Sequence, residues 1–345
     1  MPNVRKPAAL GPQKFALAAA LLLLLEACAA PTPPPRTAPK QEPAPPPAAA
    51  APALGGRLLA DAQEYPWSAL GRVNLAGQGF CTGVLIGPRQ VLTQARCLYA
   101  EREGRWFKPF ELHVVAAYQR DSFLADSKIA DFAAAPGFNP QAGSSLANLA
   151  SNWALITLQE PIGQRTGWLG LQWDSAGLQA ASRAGTAAYL RAGYRYDRPH
   201  AVSLHFGCSE AADSAARLCQ ATPAELSLPP FVIADGELRV LADFYATTPS
   251  QGSALARLSG AAINGGRLGA AQPPSRDGLA RDGLAGRQPT ATAAQLLAAL
   301  GYDTAGGDIG GAAAAFRRNN GLPAGEAIDL PLLAALLNAA WRSGR

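Results

Sequence analysis

The chain has 345 residues, of which 16% are charged, and it carries a net charge of +5. This length allows one large and one small domain with connecting segments. Without residues 1–27 the chain has 27 basic and 24 acidic residues, a net charge of +3 that is too weak and scattered to indicate a nucleic acid or an anionic membrane surface as a partner.

Residues 1–27 have the pattern of a signal peptide. Three basic residues precede the apolar run 15–25, which is shorter than the ~20 residues that a membrane-spanning helix needs. The run ends at Leu25-Glu26-Ala27-Cys28, which resembles the lipobox of bacterial lipoproteins. The resemblance implies a lipid on Cys28 and a periplasm-facing anchor in a bacterial membrane, which we expect to be the outer membrane. The alternative is secretion to the periplasm, with Cys28 removed or unmodified.

Residues 28–53 are rich in proline and alanine and predict an extended linker. From residue 54 to residue 265 the chain alternates short β-branched and aromatic runs with turn residues, which is typical of an all-β barrel or sandwich. The predicted strands cover residues 69–75, 110–118, 153–158, 186–194, 202–206, 231–234 and 237–245. The dipeptide Asp235-Gly236 predicts a hairpin between the last two.

Residues 80–99 read FCTGVLIGPRQVLTQARCLY, two apolar runs joined by a Gly-Pro turn with a cysteine near each end. This segment resembles the trypsin-like serine proteases of bacteria. The matching residues are Cys81, Gly83, Leu85, Ile86, Val91, Leu92, Thr93, Ala95 and Cys97. The resemblance implies two six-stranded antiparallel barrels packed together over residues 54–265.

Four cysteines besides Cys28 allow three disulfide connectivities. The hairpin and the resembled fold both favour the local pairs Cys81–Cys97 and Cys208–Cys219, and free buried thiols are the alternative. Disulfides imply an oxidising compartment.

The resemblance also locates three catalytic roles, and each position carries a residue that cannot perform its role. Arg96 stands at the position of the histidine base, and a guanidinium offers no lone pair near neutral pH. Asn152 replaces the orienting carboxylate before Trp153-Ala154-Leu155-Ile156. In register from Cys219 to Pro229, Leu226 replaces the nucleophilic serine. The sequence therefore predicts no catalytic residue and an inactive protease homologue.

A register shift of one residue would place Ser227 at the nucleophile position, although no base is expected beside it. The three histidines, His113, His200 and His205, lie away from the base position and are interpreted as ordinary structural residues. Lys108 and Lys128 form no pattern of a serine–lysine pair. The sequence contains no CxxC, HExxH or P-loop motif, so we predict no metal and no cofactor.

Residues 266–288 form a second predicted linker, and residues 289–342 predict a three-helix bundle. Helices are expected near 293–300 after an N-cap at Thr292, at 312–320, and after an N-cap at Asp329. This end resembles the peptidoglycan-binding domains of cell-wall proteins, and Tyr302 and Phe316 are the candidate binding residues. The family's sugar-facing loop is shortened here to residues 308–311. The alternative is a bundle that docks on protein or binds nothing.

The predicted function is that of a non-catalytic, trypsin-like binding scaffold of the cell envelope. It would be tethered by lipid on Cys28 and by peptidoglycan, and would hold an unidentified protein or peptide at the β domain. The alternatives are a serine-type endopeptidase with a non-standard active site, and a purely structural envelope protein.

Overall fold

A computed structural model describes residues 54–143, 145, 148, 150–172, 186–207, 227–241, 249–260, 263–264, 267–275 and 288–343. The predicted signal peptide, the first linker, Cys28, Cys208, Cys219, Leu226 and most of the second linker lie outside these residues. In the described part of the chain, no helix combines the length and apolar character needed to cross a bilayer.

The first half of the described chain forms a closed six-stranded barrel. Its strands follow the order β2-β3-β4-β9-β8-β7 around the barrel. Their bounds are β2 Leu70–Leu75, β3 Phe80–Gly87, β4 Gln90–Thr93, β7 Leu112–Ala116, β8 Ala125–Ala134 and β9 Ala154–Leu158. Branched side chains such as Val84, Leu92 and Ile156 fill its interior and are fully buried. Closure leaves no unpaired strand edge in this barrel.

The 80–99 segment forms the predicted hairpin. Strands β3 and β4 pair antiparallel with Val84 opposite Leu92, and the chain turns at Pro88-Arg89. A 3₁₀ turn, Ala95–Leu98, follows β4 and ends at strand β5, Tyr99–Ala100, which pairs with β6, Arg105–Trp106. The disulfide Cys81–Cys97, with a Cα–Cα distance of 6.2 Å, confirms the predicted local pair.

The remaining described strands form an eight-stranded sheet in the order β1-β12-β11-β13-β14-β10-β16-β15. Their bounds are β1 Arg57–Ala60, β10 Gly170–Gln172, β11 Ala188–Arg195, β12 Arg198–Phe206, β13 Pro230–Ala234, β14 Glu237–Leu241, β15 Ile263–Asn264 and β16 Arg267–Leu268. The β10–β14 pair is parallel. Among the described residues this sheet is mixed and does not close, so the second six-stranded barrel stays a prediction.

Helices are also present, so the architecture of the described residues is not all-β. Within residues 54–265 they include α1, Gly163–Thr166, and α2, Pro249–Ser259. Three C-terminal helices follow: α3 Thr290–Ala299, α4 Ile309–Asn319 and α5 Leu330–Ser343. Leucines from α3 and α5 are fully buried together with Phe316 of α4, as the apolar periodicity predicts.

The helix starts differ from their predictions in two places. The prediction that Thr292 is an N-cap is wrong, because α3 begins at Thr290 and Thr292 is fully buried in its first turn. Helix α4 begins at Ile309, earlier than predicted, and Oδ1 of Asp308 accepts a hydrogen bond from the N–H of Gly311. The shortened segment 308–311 is therefore the cap and first turn of a helix. Asp329 does cap α5, since its Oδ1 accepts from the N–H of Leu332.

The C-terminal helices pack directly on the β region. Nε1 of Trp67 donates a buried 3.0 Å hydrogen bond to Oγ1 of Thr292, and the carboxylate of Glu64 accepts from the N–H of Ala291 at the start of α3. The indole of Trp341 on α5 lies against Gly207, the residue that follows β12. Side-chain packing and hydrogen bonds therefore join the helices to the β region.

Candidate functional site

The 3₁₀ turn after β4 positions Arg96, the residue at the predicted base position. The backbone N–H of Arg96 donates a 2.9 Å hydrogen bond to Oδ1 of Asn152, which immediately precedes the buried Trp153. The Arg96 side chain is exposed, and among the described residues its guanidinium makes no hydrogen bond or ion pair. Two of the three predicted catalytic positions are therefore adjacent, and they are joined through a main-chain N–H.

A cleft of about 570 Å³ lies beside this turn. Its wall includes the Cys81–Cys97 disulfide, residues of the first barrel, and residues contributed by the second sheet. The lining residues are Leu75, Gly77, Gln78, Phe80, Cys81, Thr82, Gln94, Arg96, Cys97, Tyr99, Glu101, Arg102, Phe107, Tyr194, Tyr196 and Ser227. A volume of this size is typical of a site that takes a small molecule or a short peptide segment.

The nucleophile region also reaches this cleft. Leu226 lies outside the described residues, but Ser227 lines the cleft, and its carbonyl oxygen accepts a hydrogen bond from Nε2 of Gln94 at 3.5 Å. The fold thus brings Ser227 near Arg96, from a distant part of the sequence.

All three histidines of the chain are described, and none of them lines the cleft. His113 pairs with Asp126 at 2.9 Å on the exposed side of the first barrel, and Nδ1 of His200 lies 2.9 Å from the hydroxyl of Tyr118. His205 is buried on β12. The cleft therefore holds no imidazole that could accept a proton from a serine hydroxyl.

The two lysines considered as alternative bases lie elsewhere. Nζ of Lys108 lies 5.7 Å from the ring centre of Phe110, and Lys128 is exposed on β8. Neither lines the cleft. In the part of the chain that the structure describes, no group of three or more His, Cys, Asp or Glu side chains is arranged to hold a metal ion.

Aromatic residues form a large part of the cleft wall, and the sequence analysis did not assign them a role. The hydroxyl of Tyr194 donates to the carbonyl of Tyr118 at 2.9 Å, and burial raises the pKa of Tyr194 well above its ordinary value. Its backbone N–H donates to Oγ1 of Thr82, which joins the second sheet to β3. The rings of Tyr196 and Phe80 lie 5.4 Å apart. The alternating tyrosines at positions 194 and 196 were the sequence signal that could have indicated an aromatic cleft wall.

The candidate peptidoglycan residues lie on the C-terminal helices. Phe316 is only 2% exposed and forms part of the helical core, so its ring does not face solvent. Tyr302 is partly buried, and its ring makes an edge contact with Phe316 at 5.6 Å. Nδ2 of Asn319 donates to the Tyr302 hydroxyl at 3.2 Å. This arrangement leaves Tyr302 as the candidate within reach of a ligand.

Comparison with known proteins shows what the part of the chain around this cleft is similar to. Residues 55–199, which include every described lining residue except Ser227, match the family model described as Trypsin. A solved Glu endopeptidase is 19% identical, with a TM-score of 0.37, over 46% of this chain and 70% of that one. The VesB protease of Vibrio cholerae is 17% identical, with a TM-score of 0.31, over 44% of this chain and 43% of that one. No curated protein sequence matches the chain.

Proposed function

We propose that the trypsin-like domain is a non-catalytic binding scaffold of the bacterial cell envelope. The observation that carries this proposal is the chemistry of the cleft at Arg96. A guanidinium stays protonated at every physiological pH and cannot take a proton from a nucleophile. The described cleft contains no histidine that replaces it.

The residue at the acid position supports the same conclusion. Asn152 is neutral, and its Oδ1 is used by the N–H of Arg96. In an active site of this type the carboxylate orients and stabilises an imidazolium. Here there is no imidazolium to stabilise, and the side chain at position 152 supports the backbone of the turn. Without a base at position 96 and a carboxylate at position 152, the base and the group that orients it are both lost, and these act together in the catalytic mechanism.

A second candidate function, serine-type hydrolysis, is favoured by the position of Ser227 on the cleft wall. The two functions are distinguished by treating the purified full chain with a fluorophosphonate probe and assaying casein cleavage, with an active trypsin-like protease as positive control. We expect neither labelling nor cleavage. Labelling that is abolished in Ser227→Ala, and retained in Ser122→Ala on an exposed turn outside the cleft, overturns the proposal.

We further propose that the chain is tethered at both ends, by lipid on Cys28 and by peptidoglycan at the C-terminal helices. Incorporation of labelled palmitate, lost in Cys28→Ala, tests the lipid; incorporation that persists in this variant contradicts it. Because the helices pack on the β region, a deletion of residues 289–345 would expose buried surface such as Trp67. A point variant is therefore the cleaner test of wall binding.

For the wall, we expect Tyr302→Ala to reduce retention of the chain on purified peptidoglycan sacculi. Tyr302→Phe keeps the ring contact with Phe316 and loses only the hydroxyl that Asn319 contacts, so it separates the ring from the hydrogen bond. Equal retention of the wild type and Tyr302→Ala contradicts the assignment of Tyr302. Absence of retention for the wild type contradicts wall binding itself.

A further inference from the structure

Arg96 presents a positively charged side chain to the cleft. Its side chain is exposed, and no carboxylate of the described residues forms an ion pair with it. Its backbone is held by Asn152, and the adjacent Cys97 is fixed by the disulfide. The backbone at Arg96 is therefore held in one position. This lowers the conformational entropy that is lost when a ligand binds.

Two further charged residues of the described part of the chain line the cleft around Arg96. Arg102 and Glu101 are both exposed, so the charged lining residues that the structure describes are two arginines and one glutamate. Glu101 and Arg96 also line a smaller cavity together, yet they make no ion pair with each other. The electrostatic complement of this wall is an anionic ligand, and Glu101 is expected to weaken its binding.

Besides these charges, the wall offers aromatic surface. Tyr196 is 67% exposed and Tyr99 is partly exposed, whereas Phe80 and Phe107 line the cleft but are buried. A bare inorganic anion would use none of this apolar surface, whereas a peptide with an apolar side chain would cover it. The volume of about 570 Å³ suits a short peptide segment.

We propose that the cleft binds a peptide through a carboxylate that pairs with the Arg96 guanidinium. This inference rests on the proposed non-catalytic function, and it specifies the ligand of the same site. A guanidinium presents parallel N–H donors that match the two oxygens of a carboxylate, which makes this pairing stronger and more directional than a lysine ammonium pair. The carboxylate comes either from a chain terminus or from an internal acidic side chain.

The test is calorimetric titration of the full chain with three short peptides that differ in whether they carry a carboxylate and where it lies. The first is acetyl-alanyl-phenylalanyl-alanine with a free carboxyl terminus, and the second is its terminal amide. The third is the amide with one internal glutamate. We expect the free acid to bind about tenfold or more tightly than the amide, as a charge-assisted hydrogen bond predicts. Tight binding by the glutamate peptide assigns the carboxylate to a side chain instead.

Variants of the chain locate the contact. Arg96→Ala should abolish the preference for the acid, and Arg96→Lys should keep only part of it because the fork geometry is lost. Glu101→Gln should tighten acid binding. Arg89→Ala is the matched control, since Arg89 is an exposed arginine on the turn of the same hairpin that does not line the cleft. Far-ultraviolet circular dichroism of each variant establishes that it is folded.

Equal affinity for all three peptides, a preference for a carboxylate that survives Arg96→Ala, or no binding of any peptide each overturns the inference. These results are distinguishable from failure of the proposed function. Probe labelling at Ser227 with an intact acid preference contradicts the scaffold function and leaves the carboxylate site standing. No labelling, together with no preference for either peptide that carries a carboxylate, contradicts the carboxylate site alone.

Discussion

The backbone N–H of Arg96 is bonded to Oδ1 of Asn152 at 2.9 Å, across 56 residues of sequence. Asn152 is 8% exposed, and its oxygen satisfies a main-chain donor at the edge of the cleft. This bond ties the turn after β4 to the segment that leads into β9. It holds the turn in place through the Arg96 main chain and the Asn152 side chain.

This bond predicts a difference between two substitutions. Asn152→Ala removes the acceptor and leaves the Arg96 N–H without its partner, so the free energy of unfolding should fall by about 1–3 kcal/mol. Asn152→Asp keeps an acceptor oxygen and should lose much less. Urea unfolding of both variants provides the measurement, and an equal loss in the two would contradict this role of the oxygen.

The hydrogen bond between Trp67 and Thr292 joins the helices to the first barrel, and both residues are fully buried. Thr292→Val has nearly the same shape and removes the acceptor of the indole N–H, so we expect a loss of about 1–3 kcal/mol in the free energy of unfolding. With the donor already removed in Trp67→Phe, the added loss from Thr292→Val should be smaller. Additive losses in this double-mutant cycle would show that the two side chains are not coupled.

Packing of α5 on the sheet is tested by Gly207. This glycine has a φ of +80°, and a Cβ there would lie 2.2 Å from the indole of Trp341. Gly236 has a similar φ of +75° but open space around it. Both alanine variants carry the backbone penalty of about 1–2 kcal/mol, and Gly207→Ala should lose more unfolding free energy because Trp341 must move. Equal losses would contradict the packing of Trp341.

The pH dependence of stability has a specific contribution from Glu111. Hydrogen bonds from the Arg105 guanidinium and from the N–H of Lys108 lower the pKa of this carboxyl to about 2. A lowered folded-state pKa means that the stabilisation is present above pH 4.5 and is lost as the pH falls toward 2. The stability difference between wild type and Glu111→Gln should therefore shrink between pH 5 and pH 2.

Urea midpoints measured at several pH values over this range check the prediction. Glu326→Gln is the control, since Glu326 is an exposed glutamate next to the C-terminal helices. We expect that its difference from wild type does not follow the same curve. A difference between wild type and Glu111→Gln that is constant with pH would contradict the paired state of this carboxyl.

The local pattern predicted some elements well and missed others for identifiable reasons. The β3–β4 hairpin and the Asp235-Gly236 turn were predicted because their turn residues and apolar runs act over a few positions. Strand β8 was missed because its buried face carries Ala125, Ser127 and Ile129, and small residues give little signal for a strand. Its backbone hydrogen bonds to β7 and β9 hold this segment as a strand, although its own sequence gives little strand preference.

The helical end shows how tertiary contacts change the assignment of a residue. Thr292 has a side chain suited to an N-cap. Its hydroxyl instead accepts a hydrogen bond from the indole N–H of Trp67, and the residue lies buried within the helix. Similarly, Gly310 and Gly311 are poor helix formers, but the Asp308 cap begins α4 ahead of them. In both cases a specific hydrogen bond outweighs an intrinsic preference.

The sequence by itself determined the chemistry available at each position. Arg96 lacks the lone pair of a general base, and Asn152 lacks the negative charge of the orienting carboxylate in a protease triad. These properties belong to the side chains and are the same in any fold. Only the tertiary structure decided which groups meet. It joined Arg96 to Asn152, placed Ser227 and the tyrosines on the same cleft, kept all three histidines out of it, and packed the helices on the sheet. These contacts span long separations in sequence, and the packing of the whole chain selects them.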